Sequence, residues 1–365
     1  MSKSLRIITV VGARPQFIKA AAVSREIGAS FNSCIEEKII HTGQHFDENM
    51  SQVFFDELAI PKPHYQFNIS GFAHGAMTGR MLESIETVLL KEKPDWVMVY
   101  GDTNSTLAGA LAAAKLHIPV AHIEAGLRSF NMQMPEEVNR ILSDRVSSQL
   151  YCPTDSAVSN LAAEGITRGV HNVGDVMYDV ALYYKARAKA ESKIQQKLKI
   201  LPGSYVLATC HRAENTDDPN RLSEILRGLR STAKEMPVVL PLHPRTRKLI
   251  HDFQLENFLT PLIVMNPFPF LDMVALEQDA ALILTDSGGV QKEAFFYGVP
   301  CITMRDETEW VETVSLGWNK LVGANSANLA QAVDQFLNEK PKITLSKPYG
   351  DGNASNVILN YLIQP

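Results

Sequence analysis

Cysteine is scarce in this chain, long hydrophobic runs are missing, and neither sign of charge dominates. The four cysteines among 365 residues, Cys34, Cys152, Cys210 and Cys301, lie far apart and form no CxxC pair. That argues against a disulfide framework or a zinc site and fits a reducing cytoplasm. Thirty-five lysines and arginines stand against 40 aspartates and glutamates, a net charge of −5. No broad basic surface is therefore expected for nucleic acid or an anionic membrane, and any anionic ligand must be held locally. No stretch approaches the roughly 20 apolar residues of a membrane-spanning helix. The apolar run in the opening MSKSLRIITVVGARP is too short for a signal peptide and reads as a first strand. Neither GxGxxG nor a P-loop follows that strand, which counts against nicotinamide and Mg-ATP.

What is present is a rhythm. Short β-branched runs (Leu5 to Val11, Lys38 to His41, Trp96 to Tyr100, Val120 to Glu124, Gln149 to Pro153) alternate with helical patterns, the signature of βαβ units and a parallel sheet. Ser105 to Leu116 is alanine-rich and apolar on most faces, as for a helix buried against a sheet, with Thr103 or Ser105 as its cap. A second series starts near Val170 and continues through Tyr205 to Thr209, Val238 to His243, Leu262 to Val264, Ala281 to Thr285 and Pro300 to Met304. Between the series, Asp179 to Lys199 looks like a surface helix and linker. The chain is also long enough for two cores. The expectation is an α/β protein of two doubly wound, Rossmann-like domains facing a cleft: 1–175, 176–350, and a C-terminal helix within 351–365 that returns to the first domain.

In such sheets, ligands sit where strands pass into helices at their carboxyl ends. The first junction, Gly12-Ala13-Arg14-Pro15-Gln16-Phe17-Ile18-Lys19, combines a tight turn, a helix start and the cations Arg14 and Lys19, a fair anion site or merely two surface cations. Asp102, directly after an apolar strand, either points into the cleft or caps the next helix. Glu124 closes an apolar strand, where poor solvation favours proton transfer; the plain alternative is a buried pair with Arg128. Glu136, with Glu137 behind it, opens a helix after Pro135 and by itself is ordinary helix-start chemistry. His211 and Arg212 put an imidazole beside a guanidinium, able to move protons or hold phosphate, or simply to bond neighbouring loops. His243, before Pro244-Arg245, repeats that theme. The sharpest signal is Thr285-Asp286-Ser287-Gly288-Gly289, followed by Glu293: serine and two glycines at a strand-to-helix switch let backbone N–H groups approach a diphosphate, and Glu293 can accept from ribose hydroxyls.

Taken in order, GARPQFIK, HTGQH, YGDTNSTL, HIEAGLRS, MPEEVNR, HRAEN, LHPR, TDSGGVQKEA, MRDETEW and YGDGNAS resemble the non-hydrolysing UDP-N-acetylglucosamine 2-epimerase family, whose fold is GT-B-like, over nearly the whole chain. The resemblance implies that Arg14, His211, Ser287 and Gly288 hold the diphosphate and Glu293 the ribose, while Pro269 to Met273 borders the uracil. It ties Asp102, Glu124, Glu136 and His211 to catalysis. Lys19, Arg140, His243 and Arg305 line the same cleft, and Gln44, Glu136 and Arg212 match positions near a second, activating site of some relatives. It also implies a homodimer. Two departures stand out: Ala213 replaces a frequent arginine, and Met273 a frequent aromatic at the uracil wall.

The chemistry agrees with that set of acids. The C2 proton of a 2-acetamido sugar has no adjacent carbonyl on its carbon, so direct deprotonation is implausible. Elimination of UDP to a 2-acetamidoglycal, with re-addition from the other face, needs two proton-transfer groups and a cationic clamp on the leaving diphosphate, and no cofactor or metal. The stretch Arg128 to Glu136 and the GARPQFIK opening lie closer to the branch acting on UDP-2,3-diacetamido-2,3-dideoxy-D-glucuronate, a precursor of bacterial surface polysaccharide, than to plain UDP-N-acetylglucosamine enzymes. The latter activity is the alternative; a GT-B glycosyltransferase and a non-catalytic UDP-sugar sensor are more distant ones.

Overall fold

The computed structural model describes residues 4–44, 62–339, 341 and 346–364. They divide into two compact units, the first comprising 1–180 with 347–365 and the second 181–346. The first unit holds a seven-stranded parallel sheet: β1 (Leu5–Val11), β2 (Ile35–His41), β3 (Tyr65–Gln66), β4 (Trp96–Tyr100), β5 (Val120–Ile123), β6 (Gln149–Cys152) and β7 (Val170–Asn172), in the order β3-β2-β1-β4-β5-β6-β7. Val97, Met98, Val99 and Tyr100 of β4 have no exposed surface, as expected for a central strand covered on both faces; burying each such side chain stabilises the fold by roughly 1.5–3 kcal/mol. The alanine-rich helix runs from Asn104 to Lys115 and Thr103 caps it, its side chain accepting from the Thr106 N–H.

The second unit carries β8 (Val206–Thr209), β9 (Val238–Pro241), β10 (Ile263–Met265), β11 (Leu282–Thr285), β12 (Cys301–Thr303) and β13 (Asn319–Leu321), in the order β10-β9-β8-β11-β12-β13 and again all parallel. Its core joins Val206, Leu240, Leu282 and Ile302 to Leu222, Leu226 and Leu229 of the helix Pro219–Thr232 and to Val333 and Phe336 of the helix Ser326–Asn338.

Three expectations are corrected. The run at Val170 does not open the second series: it is β7, paired with β6 at the edge of the first sheet. The segment Asp179 to Lys199 is not only surface, since Val180, Ala181, Tyr184, Ala188 and Ile194 are buried. Glu124 falls just outside the strand expected to include it. The short strands β3 and β13, for their part, gave no hydrophobic run long enough to read.

The closing segment returns to the first unit. The helix Ala354–Ile363 packs on Arg14–Glu26, and its first N–H groups, of Ala354 and Ser355, donate to the Asp179 carboxylate at 3.1 and 2.7 Å. An acid from 175 residues earlier thus serves as its cap. Among the described residues no helix is long and apolar enough to cross a membrane.

Candidate active site

Each sheet reverses its strand order once, between β1 and β4 in the first and between β8 and β11 in the second, and such reversals open a crevice at the carboxyl ends of the strands. GARPQFIK and YGDTNSTL follow β1 and β4, and HRAEN and TDSGGVQKEA follow β8 and β11, so these four motifs flank the two reversals.

In the first unit Gln16 bridges the reversal. Its Oε1 accepts from the N–H groups of Gly12 and Ala13 at 2.8 and 3.1 Å, and its Nε2 donates to the Tyr100 carbonyl and to Thr106 Oγ1, both at 2.9 Å. This sets the start of the helix Arg14–Glu26, with Arg14 half-buried at its first position and Lys19 buried one turn on. Lys19 Nζ pairs with Glu124 Oε2, the two side chains being 10% and 8% exposed.

Glu124 lies one residue past β5 at φ +69°, a left-handed conformation that costs a non-glycine residue roughly 1–2 kcal/mol. Its N–H and that of Ala125 both donate to the Tyr151 carbonyl at 3.1 Å. The plain alternative, a pair of Glu124 with Arg128, gives way to a different one: Arg128 binds Asp144 at 2.7 Å and Glu164 at 2.6 Å. Gly126, at φ +80°, takes a path that a side chain could not follow, because a Cβ would run into the Ala157 carbonyl.

Asp102 is not the helix cap, a role filled by Thr103. Its Oδ2 accepts from Arg140 at 2.6 Å, and Arg140 also donates to Glu137 at 2.8 Å. Loss of hydration lifts the Asp102 carboxyl above its ordinary range; Arg140 and Lys19 pull it back, and the negative charges of Glu124 and Glu136 push it up. The three acids therefore share one electrostatic field.

Glu136 is half-exposed, whereas Glu137 is 1% exposed and accepts from the N–H groups of Ser129 (3.0 Å) and Phe130 (2.9 Å). Burial acts to raise Glu137, but those N–H groups and Arg140 outweigh it and hold the carboxyl below its usual range. Glu137 was missed as a functional candidate because two adjacent acids look alike in sequence; Arg140 three residues on was the available signal. Gln44 is turned inward, its Oε1 accepting from the Ser105 N–H (3.1 Å) and hydroxyl (2.8 Å). His45, the last residue of HTGQH, lies outside the described residues.

In the second unit the hydroxyls of Thr209 and Thr285 meet at 2.6 Å beneath the turns after β8 and β11. Asp286, fully buried, accepts from the N–H groups of His211 (2.9 Å) and Arg212 (3.0 Å) and from Asn215 Nδ2 (3.3 Å). One carboxylate thus moulds the whole His-Arg-Ala-Glu-Asn turn, a role sequence reading did not assign. The His211 ring is 46% exposed, with Nδ1 3.5 Å from Asp286 Oδ1. Desolvation lowers its proton affinity; Asp286 opposes this, while Arg212 and His243 reinforce it, leaving the imidazole a neutral group near pH 7.

Ser287 is the N-cap of the helix Gly288–Tyr297, and its N–H donates to Thr285 Oγ1 at 2.9 Å. A Cβ on Gly288 would strike the Glu309 carboxylate, which would have to move from its place beside Arg305. Ser287 Oγ and Glu293 Oε2 lie 3.8 and 4.0 Å from the point where a Gly289 Cβ would stand. Arg305, 1% exposed, is held by Glu214 and Glu309, each at 3.1 Å. It is therefore a buried, doubly paired cation rather than an open one. His243 caps the helix Pro244–Asp252, its Nδ1 accepting from the Arg245 N–H at 3.3 Å. Met273, half-buried on the helix Phe270–Gln278, is not linked by any of these bonds to the other candidates of this unit.

Two Rossmann-like units, one with an acid cluster at its strand reversal and the other with a glycine-led helix start, define the GT-B-like class of nucleotide-sugar proteins. Within it, the chain belongs to the UDP-N-acetylglucosamine 2-epimerase family, whose model matches residues 30–363. It is 54% identical over 362 residues to the UDP-2,3-diacetamido-2,3-dideoxy-D-glucuronate 2-epimerase of Pseudomonas aeruginosa, covering 98% of this chain and 99% of that one. The UDP-GlcNAc 2-epimerase of Methanocaldococcus jannaschii, solved in complex with UDP-GlcNAc and UDP, superposes with a TM-score of 0.87 at 43% identity, covering 98% of this chain and 99% of that one. The Neisseria meningitidis enzyme bound to UDP-GlcNAc gives 0.89 at 32%, covering 98% and 100%. The family read from the motifs and the family found by comparison are the same.

Proposed function

We propose that this enzyme inverts C2 of UDP-2,3-diacetamido-2,3-dideoxy-D-glucuronate from gluco to manno. The observation that carries the substrate is the 54% identity, end to end, to the Pseudomonas aeruginosa enzyme of that name. The reaction is supported by the acid cluster. A carboxylate takes the C2 proton, the C–H electron pair becomes the C1=C2 double bond of a 2-acetamidoglycal, and the C1–O bond breaks with its electrons leaving on UDP. UDP then adds back to C1 as a second acid delivers a proton to C2 from the opposite face.

Asp102, Glu124 and Glu136 are the proton-transfer candidates. Arg14, His211, Ser287 and Gly288 hold the diphosphate, and Glu293 accepts from the ribose. No cofactor is needed, because the elimination places the C–H electron pair in the C1=C2 double bond while the departing diphosphate carries off the C1–O pair, and re-addition reverses both changes. The product feeds surface polysaccharide in the cytoplasm, and the enzyme acts as a homodimer.

Turnover in D2O places deuterium at C2 of a product that again carries UDP at C1. A product without C2 deuterium, or transfer of the sugar to an acceptor, removes the reading. The relatives named for UDP-GlcNAc at 42–43% identity favour the alternative substrate, and NMR assay of both substrates separates them: comparable turnover of UDP-GlcNAc would reassign the specificity.

Asp286→Asn tests the phosphate end. Asparagine keeps the shape, but it offers a weaker acceptor and an added donor to N–H groups that need a carboxylate. A charge-assisted bond is worth roughly 1.5–3 kcal/mol, so UDP affinity measured by calorimetry is expected to fall at least about tenfold. Unchanged affinity removes Asp286 from this role.

A further inference from the structure

His122 stands in the HIEAGLRS motif and has no part in the chemistry above, yet both of its ring nitrogens are engaged beside the acid cluster. It is the penultimate residue of β5 and has no exposed surface. Its Nε2 lies 2.7 Å from the carbonyl oxygen of Gly101, the residue before Asp102, and its Nδ1 lies 2.7 Å from Asp144 Oδ1. The other oxygen of Asp144 accepts from the Gly126 N–H at 3.2 Å and from Arg128 at 2.7 Å. Asp144 belongs to the helix Pro135–Val146, which also carries Glu136 and Arg140. One imidazole and one carboxylate therefore tie together the turn bearing Asp102, the turn bearing Glu124 and the helix bearing Glu136.

Both partners of the ring are acceptors. The Gly101 carbonyl can only accept. Burial acts to raise the Asp144 carboxyl, but His122 and Arg128 outweigh it and leave it below its ordinary range, so Asp144 too is an acceptor. Each ring nitrogen of His122 thus faces a buried acceptor, Nε2 the Gly101 carbonyl and Nδ1 the Asp144 carboxylate, and both contacts are sealed from water.

We propose that His122, clamped by Asp144, is a positioning residue of the epimerisation: it fixes the Gly101 to Asp102 turn against the left-handed Glu124 turn, so that the carboxyl groups meet the substrate in register. It acts through the backbone of Gly101 and touches no reacting atom. This inference rests on the elimination and re-addition reading above.

The test is a kcat-against-KM split with two variants whose remaining donor differs. Glutamine places its amide near the position of Nε2, so His122→Gln retains the bond to Gly101 and is expected to keep kcat within about tenfold of the wild-type enzyme. Asparagine places its amide near Nδ1, so His122→Asn retains only the Asp144 side and is expected to lose about a hundredfold in kcat, on the scale of misplacing a reacting group. KM for the UDP-sugar should stay within about threefold in both. The kinetic isotope effect with substrate deuterated at C2 should rise in His122→Asn as proton abstraction becomes limiting.

Asp144→Asn, which keeps the shape but puts a donor where acceptors are needed, is the further variant and should lower kcat without raising KM. Wild-type kcat in His122→Asn, equal loss in the glutamine and asparagine variants, or loss of fold in all three would overturn the positioning role. If the wild-type enzyme itself places no deuterium at C2, the epimerase reading falls and this role with it. If it does, and the variants turn over normally, the positioning role falls alone.

Discussion

Replacing Glu124 with glutamine lowers kcat for epimerisation about a thousandfold, within the range of 10²–10⁴ that a positioned acid or base contributes, and leaves UDP binding as it was. Glutamine matches glutamate in volume but cannot carry the proton. Glu124 is suited to proton transfer in three respects. It is 9% exposed, it is aimed by a left-handed backbone, and its carboxylate is held by the buried ammonium of Lys19. The substitution also removes the salt-bridge partner of Lys19, leaving it the charge of Asp102, so some loss of stability accompanies the loss of turnover. Breaking a buried pair costs roughly 3–5 kcal/mol at most sites where it has been weighed. The two effects separate in the measurements. C2 deuterium incorporation reports the chemistry, calorimetry with UDP reports the nucleotide-binding unit, and hydrogen exchange reports the fold of the first unit. A kcat within tenfold of the wild-type enzyme, in a folded variant, would remove Glu124 from the proton-transfer role.

The second large effect is on stability and belongs to pH. His41, at the end of β2, is 1% exposed, and burial pushes its imidazole from 6.5 down to about 4. Between those two values the unfolded chain binds a proton that the folded one refuses, so stability is complete above about pH 6.5 and drains away as pH falls toward 4. At roughly 1.4 kcal/mol per pH unit, the full loss is about 3 kcal/mol, of which about 2 kcal/mol has gone between pH 7 and pH 5.

Hydrogen-exchange mass spectrometry of peptides from β1 and β2, corrected for intrinsic exchange at each pH, reads this directly. His41→Asn has no proton to gain there and should show a correspondingly shallower decline. Equal slopes in the two proteins would contradict a buried neutral imidazole.

Most of the architecture was legible in the sequence. The runs Leu5 to Val11 and Trp96 to Tyr100 coincide with β1 and β4 residue for residue, because a strand covered on both faces is written as an unbroken β-branched and apolar run. Thr103, Pro135 and Ser287 marked helix starts through local backbone chemistry that needs no distant partner. The ordered series of motifs named the family.

What sequence by itself determined, then, was the kind of element at each place and which polar residues stood at its carboxyl end. Tertiary structure alone decided which of those residues meet. Lys19 and Glu124 are 105 positions apart, His211 and Asp286 are 75 apart, and His122 reaches Gly101 across neighbouring strands. The reason is that periodicity and capping act over a few residues, while the partner of a buried charge is chosen by strand order and by which side chains the sheet brings within hydrogen-bond reach of each other. Local sequence offered Glu124 only Arg128, four residues away, as a plain alternative partner; the strand reversal gave it Lys19.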